Sequence, residues 1–280
     1  MGIRSLLRFA NFTDLKEGIK NPQKGIRVIK RSVVGGQTTS ITDSSEYTKQ
    51  QIENIVELLD ADRGKVEDLL EKARTGRVNR RIEECETQVE NKPFSLGGMT
   101  LGGETAYLLT RLLEPDTVLE IGVANGISTL YILEGLNESE TTADVRAIDK
   151  PQFESYIREK RGARGLSGVG GIIPDEKEAG WVAPINHRSR YGYQYYVGDF
   201  TEVLPKVVDS MPPVDLAIYD ASKDSEEMQM AYETLIQSLS SQGVLISDDI
   251  EVNDIFSQVT EQNDGKAVEF GGIGVFKNGL

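Results

Sequence analysis

A chain of 280 residues, 38% hydrophobic and 27% charged, has the composition of a soluble globular protein and the length for one large domain with appendages. No apolar run reaches the ~18 residues of a membrane-spanning helix. The opening "MGIRSLLRFANF" is too short and too interrupted for a secretory h-region, so a cytoplasmic enzyme is expected. A net charge of −14 argues against nucleic acid as partner, and a single cysteine, Cys85, leaves no intrachain disulfide.

The charge is unevenly placed. Residues 1–35 hold eight basic side chains against two acidic ones, a net of +6, which leaves −20 on the remainder. Within this arm Leu6, Leu7 and Phe9 alternate with Arg4 and Arg8, and Phe12 follows a helical turn on. Such a basic amphipathic segment suits an anionic lipid surface, here the inner face of a membrane. The same arm suits docking on its own acidic body or on a second subunit of a homo-oligomer. "VVGGQTTSITDSS" then reads as a linker. Residues 1–40 are taken as arm and linker, and residues 41–280 as the main domain.

"EYTKQQIENIVELLDAD" has apolar residues at helical spacing, with Asp43, Ser44 and Ser45 as cap candidates. "GKVEDLLEKAR" and "GGETAYLLTRLL" are two further helices, the latter ending before Pro115. From there strands and helices alternate. The strands are "TVLEIGV", "ADVRAID", "YQYYVGD", "VDLAIYD" and "GVLISDD". Between and after them come the helices "GISTLYILEGL", "PQFESYIREK", "FTEVLPKVV", "SEEMQMAYETLIQSLS" and "EVNDIFSQVTEQ". "AVEFGG" and "IGVFKN" close the chain as a strand pair. This order predicts an α/β fold: a Rossmann-like, mostly parallel seven-stranded sheet with helices on both faces, an antiparallel last strand and an N-terminal helical extension. Residues 161–190 break the rhythm with a glycine-rich insertion holding the lone tryptophan, Trp181, and the lone histidine, His187. It reads either as a surface insertion or as a lid over substrate.

In an open parallel sheet, ligands bind at the carboxyl ends of the strands. The first strand runs into "TVLEIGVANGIS", with Glu120, Gly122, Gly126 and Ser128 at its end. The glycine spacing is wrong for the dinucleotide fingerprint, and no P-loop is present. The pattern resembles the first motif of class I S-adenosylmethionine-dependent methyltransferases. More narrowly, E-x-G-x-x-x-G-x-S is similar to catechol and caffeoyl-CoA O-methyltransferases and to the macrocin O-methyltransferase and cephalosporin-hydroxylase-like group, over roughly residues 95–278. The resemblance implies S-adenosylmethionine as cofactor. Gly122 and Gly126 would give its methionine part room against the backbone, Glu120 would accept from its ammonium, and Ser128 would meet its carboxylate near a helix N-terminus. Asp149, ending the second strand, would bind the ribose hydroxyls or cap the next helix. Asp199, ending the third, would contact the adenine amine or equally cap its helix.

The fourth and fifth strands end in "YDASKD" and "SDDIEVND". In the resembling enzymes an Asp and an Asp-Asn pair bind a divalent metal. The matching residues are Asp220, Asp248 and Asp249, with a carboxylate at 249 in place of the amide. Mg²⁺ or another divalent cation is therefore implied, polarising an acceptor oxygen. Lys223, three residues after Asp220, matches a catalytic base, with His187 as a rival. The expected activity is methyl transfer to an oxygen of a small-molecule or glycan acceptor. The alternatives are a metal-independent O- or N-methyltransferase and a non-catalytic cofactor-binding partner subunit.

Overall fold

The computed structural model describes residues 41–97, 100–167 and 169–279. The basic arm therefore lies outside the described residues. The chain divides into two compact units, Met1–Gln50 and Gln51–Leu280. Helix α1 (Ile41–Leu59) crosses the division. It starts ahead of the expected caps, so Asp43, Ser44 and Ser45 are helical residues. Helix α2 (Arg63–Thr75) is capped by Asp62, whose carboxylate accepts from the Lys65 N–H, and it buries Val66, Leu69, Leu70 and Ala73 on one stripe. Helix α3 (Arg77–Val89) has no counterpart among the expected elements. Its composition is polar, yet Val78, Cys85 and Val89 are buried and Ile82 packs beside them. These four positions follow a three-four repeat, enough to seat a helix against the core. Helix α4 (Thr100–Leu113) completes the N-terminal layer.

The strands are β1 (Thr117–Ile121), β2 (Asp144–Asp149), β3 (Gln194–Val197), β4 (Val214–Tyr219), β5 (Leu239–Ser247), β6 (Gly265–Phe270) and β7 (Ile273–Asn278). They form one seven-stranded sheet in the order β3-β2-β1-β4-β5-β7-β6. The first five are parallel to one another, and β7 runs antiparallel between β5 and β6. A two-residue turn joins β6 to β7, with Gly271 at φ +54° and Gly272 at φ +85°, the left-handed pair that matches hairpin twist. The intervening helices are α5 (Ile127–Ser139), α6 (Glu154–Arg161), α7 (Ile185–Arg190), α8 (Phe200–Asp209), α9 (Ser225–Ser238) and α10 (Ile255–Glu261).

Period-two alternation splits the buried strand residues between two layers. Val118, Val145, Leu216, Ile218, Val244 and Ile246 pack with α1 to α5. Leu119, Ile121, Ile148, Ala217, Tyr219 and Leu245 pack with α8, α9 and α10. The sheet is thus covered on both faces, which is why β1 reads as an unbroken buried run.

The insertion at residues 161–190 belongs to the core. It contains a short 3₁₀ turn (Ala163–Leu166) and α7, and it buries Leu166, Ile172, Ile173, Trp181, Val182 and Ala183. The Glu154 N–H donates to the Ile173 carbonyl and the Ile173 N–H to the Gln152 carbonyl, each at 2.9 Å, so the segment also pairs with backbone beyond β2.

Candidate functional site

The strand ladder continues one residue past each carboxyl end. Gly122 N–H donates to Ile148 O at 2.9 Å, Asp220 N–H to Ile121 O at 2.8 Å and Asp248 N–H to Tyr219 O at 3.0 Å. The acids that follow β4 and β5 are therefore held in register with the glycine turn after β1. Gly122 sits at φ +91°, and a Cβ there would lie 1.9 Å from the Asp220 carbonyl oxygen. Gly126 sits at φ +88°, and its Cβ would lie 2.7 Å from the Gly180 Cα in the insertion. Both glycines are thus required by close backbone approach as well as by left-handed φ.

Glu120 is fully buried on the α5 side of β1. Its two oxygens accept from Ser128 Oγ at 2.5 Å and Thr129 Oγ1 at 2.6 Å, both in the first turn of α5. Glu120 and Ser128, expected to meet the ammonium and the carboxylate of a cofactor, are bonded to each other. Burial pushes the Glu120 carboxyl up to about 7, against the lowering effect of the two hydroxyl donors, with Asp149 and Asp220 pushing the same way as burial.

Asp149 ends β2 beside the same turn. Its Oδ2 accepts from the Ala124 N–H at 3.1 Å and from the Tyr195 hydroxyl at 3.3 Å. Burial raises its carboxyl, and the backbone donors oppose the rise. Ala124 itself has φ +46°, an uncommon conformation for a residue with a side chain. Asp199 has the contacts of a helix cap. Its Oδ1 accepts from Thr201 N–H at 3.2 Å and Thr201 Oγ1 at 2.8 Å, and its Oδ2 pairs with Lys150 Nζ at 3.1 Å. Those donors, Thr201 first, hold its carboxyl below the usual range.

Asp220, Asp248 and Asp249 cluster with Lys223. The Lys223 Nζ lies 3.1 Å from Asp220 Oδ1, 3.3 Å from the Asp248 carbonyl oxygen and 3.8 Å from Asp249 Oδ2. Asp249 holds φ +59°, and its N–H donates to Asp248 Oδ1 at 2.9 Å. Burial, then Asp220 and Asp249, push the Asp248 carboxyl up to about 7, and Lys223 pulls it back. Among the described residues no three His, Cys, Asp or Glu side chains are arranged to hold a metal ion. The donor chemistry suits a hard cation, three carboxylates from adjacent strand ends, but the Lys223 ammonium is seated among them. His187 lies elsewhere, its Nδ1 3.9 Å from Glu134 of α5.

Three contributors lay outside the sequence reading. Thr129 was signalled only by a second hydroxyl residue in the helix turn after an acid. Tyr195 depends on which face of β3 turns toward Asp149. Asn125 is almost fully buried and bonds to three separate segments, a fact that no local pattern carries.

A family model described as a methyltransferase domain matches residues 119–250. No curated protein matches the chain. Among solved structures, the chain is similar to the O-methyltransferase TomG from Streptomyces achromogenes, involved in tomaymycin synthesis and in complex with SAM (14% identity, 71% of this chain and 89% of that one, TM-score 0.48). It is also similar to an O-methyltransferase from Bacillus cereus in complex with SAH (14% identity, 81% and 96%, TM-score 0.44) and to a methyltransferase from Geobacter sulfurreducens (15% identity, 72% and 87%, TM-score 0.46). Residues 119–250 thus match a methyltransferase domain along the strand order described above, from the middle of β1 to the turn after β5.

Proposed function

We propose that the protein transfers the methyl group of S-adenosylmethionine to an oxygen of a small-molecule or glycan acceptor, with the cofactor across the ends of β1 and β2 and the acceptor beside the acid cluster of β4 and β5. One observation carries this reading: the backbone of the glycine turn touches the backbone of Asp220, so the end of β1, where the cofactor would lie, and the end of β4, where the acceptor would lie, are direct neighbours. A methyl donor in one and a hydroxyl in the other would be held close enough for direct attack. Asp149 would accept from the ribose hydroxyls. Gly122 and Gly126 would shape the turn against the methionine part, and Glu120 with Ser128 and Thr129 would fix the position of the α5 N-terminus. Asp199 would border the adenine from its cap position.

Asp220, Asp248 and Asp249 would hold a divalent ion once Lys223 swings away, and such an ion supplies Lewis acidity that eases loss of the acceptor's proton. In that arrangement Lys223, once the neighbouring cation and desolvation have driven off its own extra proton, would take up the acceptor's proton as a neutral amine. A second reading is favoured by the position of Lys223 itself, within 3.1 Å of Asp220 and 3.8 Å of Asp249. Here the ammonium is the cation of the cluster, it stabilises the oxyanion that forms, and a cluster carboxylate takes the proton.

Labelled S-adenosylmethionine offered with pools of small molecules and glycans tests the reading. Transfer lost to chelator and restored by Mg²⁺ or Mn²⁺ supports the metal arrangement. Full transfer in excess chelator, lost in Lys223→Met, supports the lysine. Tight cofactor binding with no transfer to any pool would instead mark a non-catalytic partner subunit.

A further inference from the structure

The segment from Val169 to Val182 packs against the glycine turn through a chain of specific bonds. The Gly180 N–H donates to Ala124 O at 2.9 Å, and the Val182 N–H to Asn125 O at 3.0 Å. The Trp181 indole N–H donates to Asn125 Oδ1 at 2.7 Å. The Asn125 amide in turn donates to Leu96 O at 2.8 Å and Ile172 O at 3.1 Å. Asn125 is 1% exposed and Trp181 8%. One side-chain amide thus satisfies three groups from the loop before α4, the middle of the insertion and its far end. These groups are buried, so leaving any of them unpaired is costly.

The bonds bear on the part of the turn that the function needs. Ala124 is strapped on both sides, its carbonyl to Gly180 and its N–H to the Asp149 carboxylate. It keeps φ +46° under those two restraints. A strained conformation of this kind persists only where its surroundings over-determine it, and such positions concentrate at ligand clamps. The insertion also lies directly on Gly126, where backbone meets backbone with no room for a Cβ.

We propose that the insertion is a built wall of the cofactor site, and that Asn125 and Trp181 are positioning residues that hold Ala124 and hence Asp149 in the binding geometry. Order in residues 169–183 and occupancy of the site are then coupled, each favouring the other. This inference rests on the assignment of the cofactor to the β1–β2 edge. It differs from a lid, because the segment is already bonded to the turn and its contacts face the turn's backbone.

Amide hydrogen exchange and calorimetry on the full chain with S-adenosylhomocysteine test it. In the unsubstituted protein the amides of Gly180 and Val182 should exchange at least about tenfold more slowly with the ligand bound. Trp181→Phe keeps the ring in the core and removes only the N–H. It leaves Asn125 Oδ1 without its donor and so should lower the melting temperature, and it should in addition weaken S-adenosylhomocysteine binding by the folded protein by about tenfold. A merely structural role would lower the melting temperature and leave the affinity of the folded protein alone. Binding by the unsubstituted protein with no change in exchange at Gly180 and Val182 overturns the inference and leaves the site assignment standing, whether or not the variant folds. Equal affinity in a folded Trp181→Phe overturns it as well. No binding by the unsubstituted protein overturns the assignment itself and this inference with it.

Discussion

Glu120 is a carboxylate in a place where charge is expensive. A group whose folded value lies near 7, above an unfolded value of 4.5, adds stability below 4.5 and loses that addition as the pH rises through 7. Glu120→Gln keeps the shape and can still bond to both hydroxyls, so it should remove the pH-dependent cost. At about pH 8.5 the variant should be the more stable by roughly 3 kcal/mol, about 7 °C in melting temperature, and the gap should close by about pH 4.5. A gap that does not vary with pH, read by thermal melts across the range, would mean that Glu120 is not buried as a charge. The acid itself is plain in "VLEIG", since a carboxylate in a buried strand invites a partner. Which partner it takes is not plain, because Ser128 and Thr129 reach it only once α5 turns back over β1. Lys223 presents the same difficulty. Its spacing from Asp220 is visible, but its seat between two strand ends depends on the pairing of β4 with β5. Lys223→Met leaves the aspartates without their cation, so a divalent ion should stabilise that variant more than the unsubstituted protein. Equal shifts in melting temperature on adding Mg²⁺ would place the metal, if bound, away from this cluster.

At the scale of elements, most of the alternating strands and helices from β1 onward are legible because they have one strong signal: an apolar run in the strands, and in the helices a side-chain cap, as at α8 and α9, or burial nearly all round, as at α5. Helix α3 lacks that signal, with three buried residues in a charged sequence. The insertion lacks it too, because its order comes from backbone bonds to the β1–α5 turn and to Asn125 rather than from any periodicity. Asp199 shows how one residue type serves two readings. Its cap bonds to Thr201 are made by the folded chain alone, so Asp199→Ala should cost about 1 kcal/mol, and Asp199→Asn much less. Because the fold depresses this carboxyl, its contribution is present above the unfolded value of 3.8 and is lost as the pH falls through the folded one. Denaturant titration of the two variants at neutral and acid pH checks both statements. A cost in Asp199→Ala that persists unchanged in acid would contradict the cap's electrostatic share.

For the whole molecule, a body of about −20 and an arm of +6 make association sensitive to salt. No helix among the described residues is long and apolar enough to cross a membrane. If the arm serves an anionic surface, the chain should pellet with anionic vesicles at low salt, be released at high salt, and lose both behaviours on deletion of residues 1–35. Equal pelleting of the shortened chain would end that assignment and leave the arm to its own acidic body or a second subunit. The central proposal concerns the sheet: that its β1 and β2 ends receive S-adenosylmethionine. Calorimetry with S-adenosylhomocysteine on the unsubstituted protein and on Asp149→Asn tests it most directly. The asparagine can still accept from Ala124 and Tyr195, so the turn should keep its shape while the ribose loses a charged acceptor. Binding by the unsubstituted protein, weakened about 10–100-fold in Asp149→Asn, is the expected result. No heat of binding in the unsubstituted protein, or equal affinity in the folded variant, would contradict the account.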